Sequence, residues 1–404
     1  MTDDLGALWR EEWGRLLALL VAQFQRLDLA EDGLADAFEA AARTWPRDGA
    51  PTNPAAWLLT VARRRVLDRL RAESTAARKR PVLAVEARLQ EEAQRVMADA
   101  GEEVRDERLR LVLLCAHPSL ARESSAALTL RLVLGSSTAD IARLFLVSTP
   151  TMAARLTRAR QRLAAERFDV PLGSELAERV GLAADVTYLA FTAAYAPPSG
   201  EEVHRPELAS EAIRLARVIR EVAPPSTELD ALLALMLLQH SRRDARTGRA
   251  GELVLLADQD RTRWHRAEID EAVALLTPLT AAPPAPYLLQ ALIAAEHAIA
   301  PTASDTAWVR ISRHYAELEE LTGSPVVRLN RAVAVAESEG PLAGLRLLEG
   351  VDLPGHRLPG LRGELLLRAG RYDEARLAFD LALSRCDNAA EGRHLRSRRE
   401  ALPN

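Results

Sequence analysis

The side chains best suited to chemistry in this chain are arginines, and they are concentrated in two predicted helices. One helix is expected from Ala55 to about Glu73 and the other from Thr149 to Leu163. A protein that binds nucleic acid needs cations for the phosphates and a few positioned side chains for the bases. We therefore predict that both helices contact DNA, against the alternative of solvated basic faces. The predicted DNA-binding residues are Asn53, Trp57, Arg63, Arg64, Arg65, Arg69, Thr149, Thr151, Arg155, Arg158 and Arg162.

A polar loop rich in proline and glycine, residues 46–54, precedes the first basic helix. Asn53 can cap that helix, with Pro54 in its first turn. Trp57 follows closely, and an aromatic ring beside cations can stack on unpaired bases. Because Trp57 also falls on the apolar stripe of the helix, packing in the core is an equally open alternative.

The helix before this loop is acidic on one face and apolar on the other. An acidic face suits a protein partner better than DNA, and the alternative is an ordinary solvated helix face. The residues predicted to contact the protein partner are Glu31, Asp32, Asp36 and Phe38.

Two short helices predicted within residues 139–163 have the pattern of a helix-turn-helix. Ser137 or Thr138 is expected to cap the first helix, residues 146–148 to form the turn, and Thr149 to cap the second helix. The second helix is basic, and its apolar residues recur at helical spacing. This arrangement is typical of a recognition helix that enters the major groove.

Length and composition predict an all-α protein with two or three domains. The chain has 404 residues of which only 4% are aromatic, so its core must consist mainly of Leu, Ala and Val. The net charge of −4 gives no global basic field, and nucleic-acid binding would have to be local. We find no signal sequence and no apolar run long enough to span a bilayer, and therefore expect a cytoplasmic protein.

The sequence predicts no metal site, no cofactor and no catalytic centre. Cys115 and His117 are two possible ligands, but zinc needs about four and no other Cys or His lies near them in sequence. Cys115 and Cys386 are too far apart to suggest a disulfide framework, which favours a reducing compartment. One polar cluster lacks a nucleophile–base pair and a phosphate-binding glycine loop, so it is expected to be structural. It comprises Asp258, Asp260, Arg261 and Trp264.

Three segments, in this order, resemble regions of the extracytoplasmic-function sigma factors of the sigma-70 family. Residues 28–45 (DLAEDGLADAFEAAARTW) look like the polymerase-binding segment of sigma region 2. Residues 53–71 (NPAAWLLTVARRRVLDRLR) resemble the segment that melts the promoter and reads its minus-ten element, and residues 127–163 resemble region 4, which reads the minus-thirty-five element. The resemblance covers roughly the first 168 residues. It implies core RNA polymerase as the partner of the acidic helix and promoter DNA as the partner of both basic helices.

The rest of the chain resembles a subgroup of these factors that carries a long C-terminal helical domain. Residues 106–121 look like the subgroup's lead into region 4, and residues 251–264 and 324–336 resemble its extension. Residues 370–383 resemble the second half of a tetratricopeptide repeat, with a degenerate copy at residues 330–348. Two departures are Cys115-Ala116, where members often have adjacent cysteines, and residues 192–195, where they tend to have an Asn-Glu-Gly-Tyr-like stretch.

The predicted domains are sigma region 2 in residues 1–75, a linker in residues 76–106, region 4 in residues 107–168 and a C-terminal domain with tetratricopeptide-like repeats in residues 171–404. We predict an alternative sigma factor that is not an enzyme. Its C-terminal domain would control it by packing against the sigma regions or by binding a signalling partner.

Three other functions are weighed against this prediction. A stand-alone helix-turn-helix regulator would not need the intact acidic segment, and a scaffold with a vestigial front half would not need the basic helix. An enzyme in the C-terminal half would need a reactive constellation, and none is recognisable there.

Overall fold

The chain is helical throughout the part described by the computed structural model, which is residues 2–75, 102–145, 147–163, 166, 170–195, 206–248, 254–386 and 389–403. These residues form α-helices and short 3-10 helices and no β-strand, which confirms the all-α prediction. Within the same residues, no helix combines the length and the apolar character needed to cross a bilayer. The predicted linker lies largely outside the described residues, as does Leu146 of the predicted turn.

Eighteen α-helices are present in the described residues. The first nine are α1 Thr2–Phe24, α2 Leu27–Asp48, α3 Pro54–Thr75, α4 Glu102–Cys115, α5 Arg122–Val133, α6 Thr138–Leu144, α7 Thr149–Leu163, α8 Gly173–Tyr195 and α9 Pro206–Val222. The other nine are α10 Thr227–His240, α11 Arg266–Leu276, α12 Pro286–Ile299, α13 Trp308–Thr322, α14 Pro325–Glu339, α15 Pro341–Leu347, α16 Arg357–Arg368, α17 Tyr372–Ser384 and α18 Ala389–Glu400. Five 3-10 helices lie at Arg243–Ala245, Leu256–Asp258, Arg261–Arg263, Thr277–Leu279 and Ala303–Asp305.

The helices form two compact units. The first unit comprises Met1–Ala190 with Arg214–Pro224, and the second comprises Phe191–Ile213 with Pro225–Asn404. The first unit therefore includes most of α8 and the second half of α9 in addition to the two predicted sigma regions. The domain boundaries drawn from the sequence stay a prediction.

The first unit is organised around α1, which packs against α2, α3, α4 and α5. Trp13 of α1 is fully buried, stacks on Trp9 at 4.1 Å between ring centroids and lies 6.1 Å from Phe38 of α2. Gly14 allows α1 to approach α5 closely, because a Cβ at this position would overlap the carbonyl oxygen of Val133. The two halves of the unit thus share one core.

Local capping signals explain where several of these helices begin. The Asn53 side chain accepts a hydrogen bond of 3.0 Å from the Ala56 amide, which confirms it as the cap of α3. Ser137 caps α6 in the same way, by accepting from the Asp140 amide at 3.1 Å. The predicted cap of α7 is wrong, because Thr149 is itself helical and Ser148 accepts from the Thr151 amide at 3.3 Å.

The end of α2 also differs from the prediction, since the helix continues through Pro46 as far as Asp48. A proline removes one backbone donor, but in the last turn this affects only a single helical hydrogen bond. The helix then ends at Gly49, which has φ +80° and donates its N–H to the Trp45 carbonyl at 3.0 Å. The predicted loop is therefore shorter at its start.

The second unit is a succession of helices in which neighbours in sequence pack together, from α12 against α13 through to α17 against α18. Small residues bring these helices close. A Cβ on Gly344 of α15 would lie 2.6 Å from the Ala332 carbonyl oxygen of α14, and one on Gly363 of α16 would lie 2.9 Å from the ring of Phe379. Leu, Ala and Phe side chains fill the spaces between the helices.

Candidate nucleic-acid interface

The free basic surface of α3 is formed by Arg64 and Arg65. Both side chains are exposed, and no described residue pairs with either. Arg63 differs, because only 4% of it is exposed and its side chain packs into the unit. Of the three consecutive arginines, two can therefore meet a phosphate in this conformation and one cannot.

Asn53 and Trp57 lie at the start of α3, as the sequence predicted, but both already have structural roles. Asn53 is exposed and its side-chain oxygen caps the helix. Trp57 is half-buried and packs edge-on against Trp45 of α2, with 5.4 Å between ring centroids. The pair leaves part of the Trp57 ring open to solvent, so both alternatives for this residue, core packing and base stacking, remain compatible with its position.

Arg69 joins the predicted DNA-binding helix to the predicted polymerase-binding helix. Its Nη2 donates to Asp36 of α2 at 2.9 Å, and its Nη1 lies 3.9 Å from an oxygen of Asp32. Asp32 remains largely exposed, whereas Asp36 is half-buried. Asp32 and Asp36 thus offer an accessible acidic surface on α2 whose charge Arg69 partly offsets.

Glu31 is the most constrained of the predicted polymerase-binding residues. Only 6% of it is exposed, and its two oxygens accept hydrogen bonds from two arginines of the predicted region 4. Arg131 of α5 donates from Nε at 2.8 Å, and Arg160 of α7 donates from Nη2 at 2.6 Å. A buried carboxylate is costly unless it is paired and hydrogen-bonded, so these two arginines are what allow Glu31 to be buried.

Phe38 is a core residue rather than a surface residue. It is 3% exposed and packs against Trp9 at 4.7 Å between ring centroids. In this conformation only Asp32 and Asp36 of the four predicted polymerase-binding residues can reach a partner. The burial of Glu31 and Phe38 has different causes, since Phe38 packs inside region 2 and Glu31 is covered by region 4.

The second basic helix, α7, presents a polar outer face and an apolar inner face. Met152, Leu156, Ala159 and Leu163 are buried, as their spacing predicted. Arg155 is half-buried. The exposed predicted residues are Thr149, Thr151, Arg158 and Arg162. These four can line a groove contact, whereas Arg160 on the same helix is held by Glu31.

The segment that follows the predicted region 4 forms a hydrogen-bonded connection, or brace, between the two predicted sigma regions. Arg214 of α9 donates to the Arg10 carbonyl of α1 at 2.6 Å and to the Leu134 carbonyl after α5 at 3.0 Å. The Trp9 indole donates to the Gly135 carbonyl at 3.0 Å and adds a direct link between the same two regions. Regions 2 and 4 are thus held together at both Glu31 and Arg214.

A cavity of about 440 Å³ lies beside this junction. Arg26 and Asp28 from the start of α2 line one side, and Thr157, Arg160 and Gln161 of α7 line the other. Arg26 and Asp28 form an ion pair of 2.8 Å, and their hydrogen bonding lowers the pKa of Asp28. The cavity shows that the packing of the two regions is incomplete at this edge.

The sequence reasoning did not identify Arg131, Arg160 or Arg214 as functional residues. A signal for Arg131 was available, because it interrupts an otherwise buried helix, and a cation in such a place requires a partner. No comparable signal marked Arg214, which is one of many arginines on amphipathic helices.

The residues set aside as structural also have identifiable partners. Cys115 is fully buried, and burial raises the pKa of its thiol far above the ordinary value. The His117 ring lies 2.7 Å from the Ser119 hydroxyl. Arg261 of the second unit donates to the carbonyls of His297 and Ala300 at 2.5 and 2.7 Å and covers the ring of Trp264 at 4.7 Å, as expected for a polar structural network.

Comparison with known proteins adds three family matches and one relative. Residues 8–75 match the model of sigma-70 region 2, residues 110–163 match sigma-70 region 4, and residues 179–279 match a family of unknown function, DUF6596. An uncharacterized protein of Rhizobium meliloti (strain 1021), R00370, is 42% identical over 395 residues, which cover 96% of this chain and 93% of that protein. No solved structure matches the chain.

Proposed function

The chain belongs to the sigma-70 family of RNA polymerase sigma factors, and we propose that it is a factor of the extracytoplasmic-function type. Its C-terminal domain would be tetratricopeptide-like and would control its activity. As an alternative sigma factor it directs promoter recognition and DNA-templated transcription initiation through core RNA polymerase. It is not an enzyme, because the polymerase performs the chemistry.

The proposed promoter contacts are the accessible basic residues of both regions. Arg64 and Arg65 of α3 would bind the backbone near the minus-ten element, with Asn53 and Trp57 beside the unpaired bases. Arg158 and Arg162, with Thr149 and Thr151, would face the major groove of the minus-thirty-five element. Their exposure supports these roles. Arg63 and Arg155 could contact promoter DNA only if their side chains became more exposed. Arg69 could contact it only if it released Asp36.

The proposed polymerase surface is the acidic side of α2, with Asp32 and Asp36 accessible at once. Glu31 would join this surface only after Arg131 and Arg160 release it. We therefore propose that the compact first unit is a resting conformation. Regions 2 and 4 would separate when the factor binds core polymerase.

The C-terminal part of the chain would control this separation. Arg214 lies inside the segment that matches the DUF6596 family and braces α1 against the end of α5. A signal that moves this brace would free region 4 from region 2. The observation that best supports a closed resting conformation is the Glu31 carboxylate, which accepts hydrogen bonds from Arg131 and Arg160 and so connects region 2 to region 4. The repeat-like helices α12–α18 would receive the signal, from a regulatory protein in the cytoplasm.

The test is co-purification of the full chain with core RNA polymerase, followed by transcription from the DNA upstream of its own gene. We expect a stable complex and transcripts that start at one defined position. If the full chain binds DNA and not polymerase, and a variant ending near Phe168 also fails to bind, a stand-alone DNA-binding regulator replaces the proposal. Binding only by the shortened variant would support control by the C-terminal part.

A further inference from the structure

Three side chains with metal-ligating atoms come together at the ends of the last three helices of the second unit. His356 directly precedes α16, Cys386 lies two residues after α17, and Glu391 is in the first turn of α18. A ring nitrogen of His356, the sulfur of Cys386 and a carboxylate oxygen of Glu391 all lie within 4.8 Å of one another. His356 Nε2 and Glu391 Oε2 lie 2.6 Å apart.

This donor set selects one class of ion. Imidazole, thiolate and carboxylate are the three ligand types that zinc uses in proteins, whereas Mg²⁺ and Ca²⁺ prefer oxygen alone. Bonds of about 2.0–2.3 Å to a tetrahedral ion put the ligand atoms roughly 3.3–3.7 Å apart. All three atoms lie within 4.8 Å of one another, and side-chain rotations that separate His356 Nε2 from Glu391 Oε2 would bring them to that spacing.

The surroundings suit a site that keeps one open position. All three residues are half-buried, so solvent can reach the ion and supply a fourth ligand. Cys386 is a reduced thiol, in no disulfide. Sequence patterns could not indicate this cluster, because His356 is far from Cys386 along the chain and the repeat-like packing of the helices brings them together.

We propose that His356, Cys386 and Glu391 bind a divalent transition-metal ion, with Zn²⁺ as the physiological ligand and water in the fourth position. The ion fastens α18 to the helices before it. Leu395 of α18 and Leu402, just after it, are buried in one apolar cluster with Phe379. Arg398 and Arg399 of α18 form ion pairs with Glu364 and Asp380. This inference is independent of the function proposed for the first unit.

The test uses the full chain, purified without a histidine tag, treated with a chelator and titrated with Co²⁺ as a spectroscopic probe. We expect one ion per chain, a thiolate-to-cobalt charge-transfer band in the near ultraviolet, and displacement of cobalt by Zn²⁺. Cys386→Ser should abolish the band. His356→Gln and Glu391→Gln should weaken binding by more than the roughly 10–100-fold that loss of a partner of a metal ligand costs.

The matched control is Cys115→Ala, which removes the other cysteine of the chain and should leave the band unchanged. Absence of a band in the parent protein, or the same band in Cys386→Ser, would overturn the proposal and leave His356 and Glu391 as an ordinary ion pair. Thermal unfolding gives a second measurement that does not depend on the spectrum. Zn²⁺ should raise the unfolding temperature of the parent chain and not that of Cys386→Ser, whose circular dichroism should match the metal-free parent.

Discussion

The Glu31 carboxylate of α2 and the Arg160 guanidinium of α7 lie 2.6 Å apart, although 129 residues separate them in sequence. One residue belongs to sigma region 2 and the other to the predicted recognition helix of region 4. Since Glu31 also lies on the face of α2 proposed for the polymerase, it cannot serve both partners at once. On the proposed role of Glu31, this pairing would make the compact unit and the polymerase-bound factor mutually exclusive at this residue.

Arg214→Ala should shift the factor toward the open conformation and strengthen its binding to core polymerase. Arg214 donates two hydrogen bonds to backbone carbonyls of the two sigma regions, and a hydrogen bond to a charged group contributes about 1.5–3 kcal/mol. Counting only one of these bonds, at the lower end of that range, loss of Arg214 should raise the affinity for polymerase at least about tenfold. Titration of labelled core polymerase with each variant measures the change.

The matched control for this variant is Arg266→Ala. Arg266 is an exposed arginine of α11 whose ion pair, with Asp270, lies on its own helix. The Arg266→Ala variant should leave the affinity for core polymerase unchanged. Weaker or equal binding by a folded Arg214→Ala variant would contradict the proposed role of the brace.

Cys115 should report on the same opening through its reactivity with iodoacetamide. Its side chain is fully buried in α4, and Glu31 and Arg160 are near enough to act electrostatically on its thiol. Burial raises the pKa of the Cys115 thiol, which leaves almost no thiolate while the unit is closed. We expect slow alkylation in the parent chain and alkylation about tenfold faster in Arg214→Ala.

Both proteins in this experiment carry Cys386→Ser, so that a single thiol is followed. Denatured protein sets the maximal rate, and Arg266→Ala again serves as the unaffected control. Cys115 that reacts as fast in the native chain as in the denatured chain would show that the two regions are not packed together in solution.

The sequence predicted the helices that carry the proposed binding surfaces well, because the signals for those helices are local. Asn53 and Ser137 cap helices through contacts within three residues, and the apolar spacing of α7 correctly predicted its buried side. That spacing did not show that Arg155 is half-buried or that Arg160 is held by Glu31. Thr149 and Pro46 were misplaced by only a few residues, because a cap can move to a neighbouring hydroxyl and a proline can occupy a last helical turn.

The partners of Glu31 could not be predicted in the same way. A carboxylate on a helix surface has the same sequence pattern whether it faces solvent or two arginines from a distant segment. Its burial depends on the close approach of α1 and α5, which rests on Gly14, and on the return of the chain through Arg214. The cluster of His356, Cys386 and Glu391 was missed for the same reason.

Arg64→Ala combined with Arg65→Ala should weaken promoter binding by the polymerase holoenzyme and leave assembly of that holoenzyme intact. Both side chains are exposed and none of the described residues pairs with them, so their removal should not disturb the first unit. For each phosphate that the variant no longer binds, the slope of log affinity against log salt should decrease by about 1. Fluorescence anisotropy of promoter DNA across a salt series measures both effects.

The charge-matched control is Arg266→Ala combined with Arg313→Ala, which removes two exposed arginines from α11 and α13. It should leave the salt slope unchanged. If the Arg64 and Arg65 variant also fails to bind polymerase while its circular dichroism stays native, the two residues belong to a shared interface rather than to DNA alone.

The stability of the second unit should decrease as the pH falls from neutral, with His297 as one cause. Burial, with the nearby Arg242 and Arg261, lowers the pKa of His297 from 6.5 to about 4. Between pH about 4 and 6.5, His297 binds a proton in the unfolded chain but not in the folded chain. The free energy of unfolding therefore decreases as the pH falls. At 1.36 kcal/mol for each pKa unit, the full effect is at most about 3 kcal/mol.

His297→Gln cannot take up this proton and should have a smaller difference in unfolding free energy between pH about 7 and about 5. Urea unfolding of both proteins at the two pH values measures that difference. The lowered pKa of His394, in the same unit, should leave a residual slope in the variant, whereas carboxylates such as Glu268 contribute only at lower pH. An unchanged slope in His297→Gln would show that the pKa of His297 is the same in the folded and the unfolded chain, which would contradict this prediction.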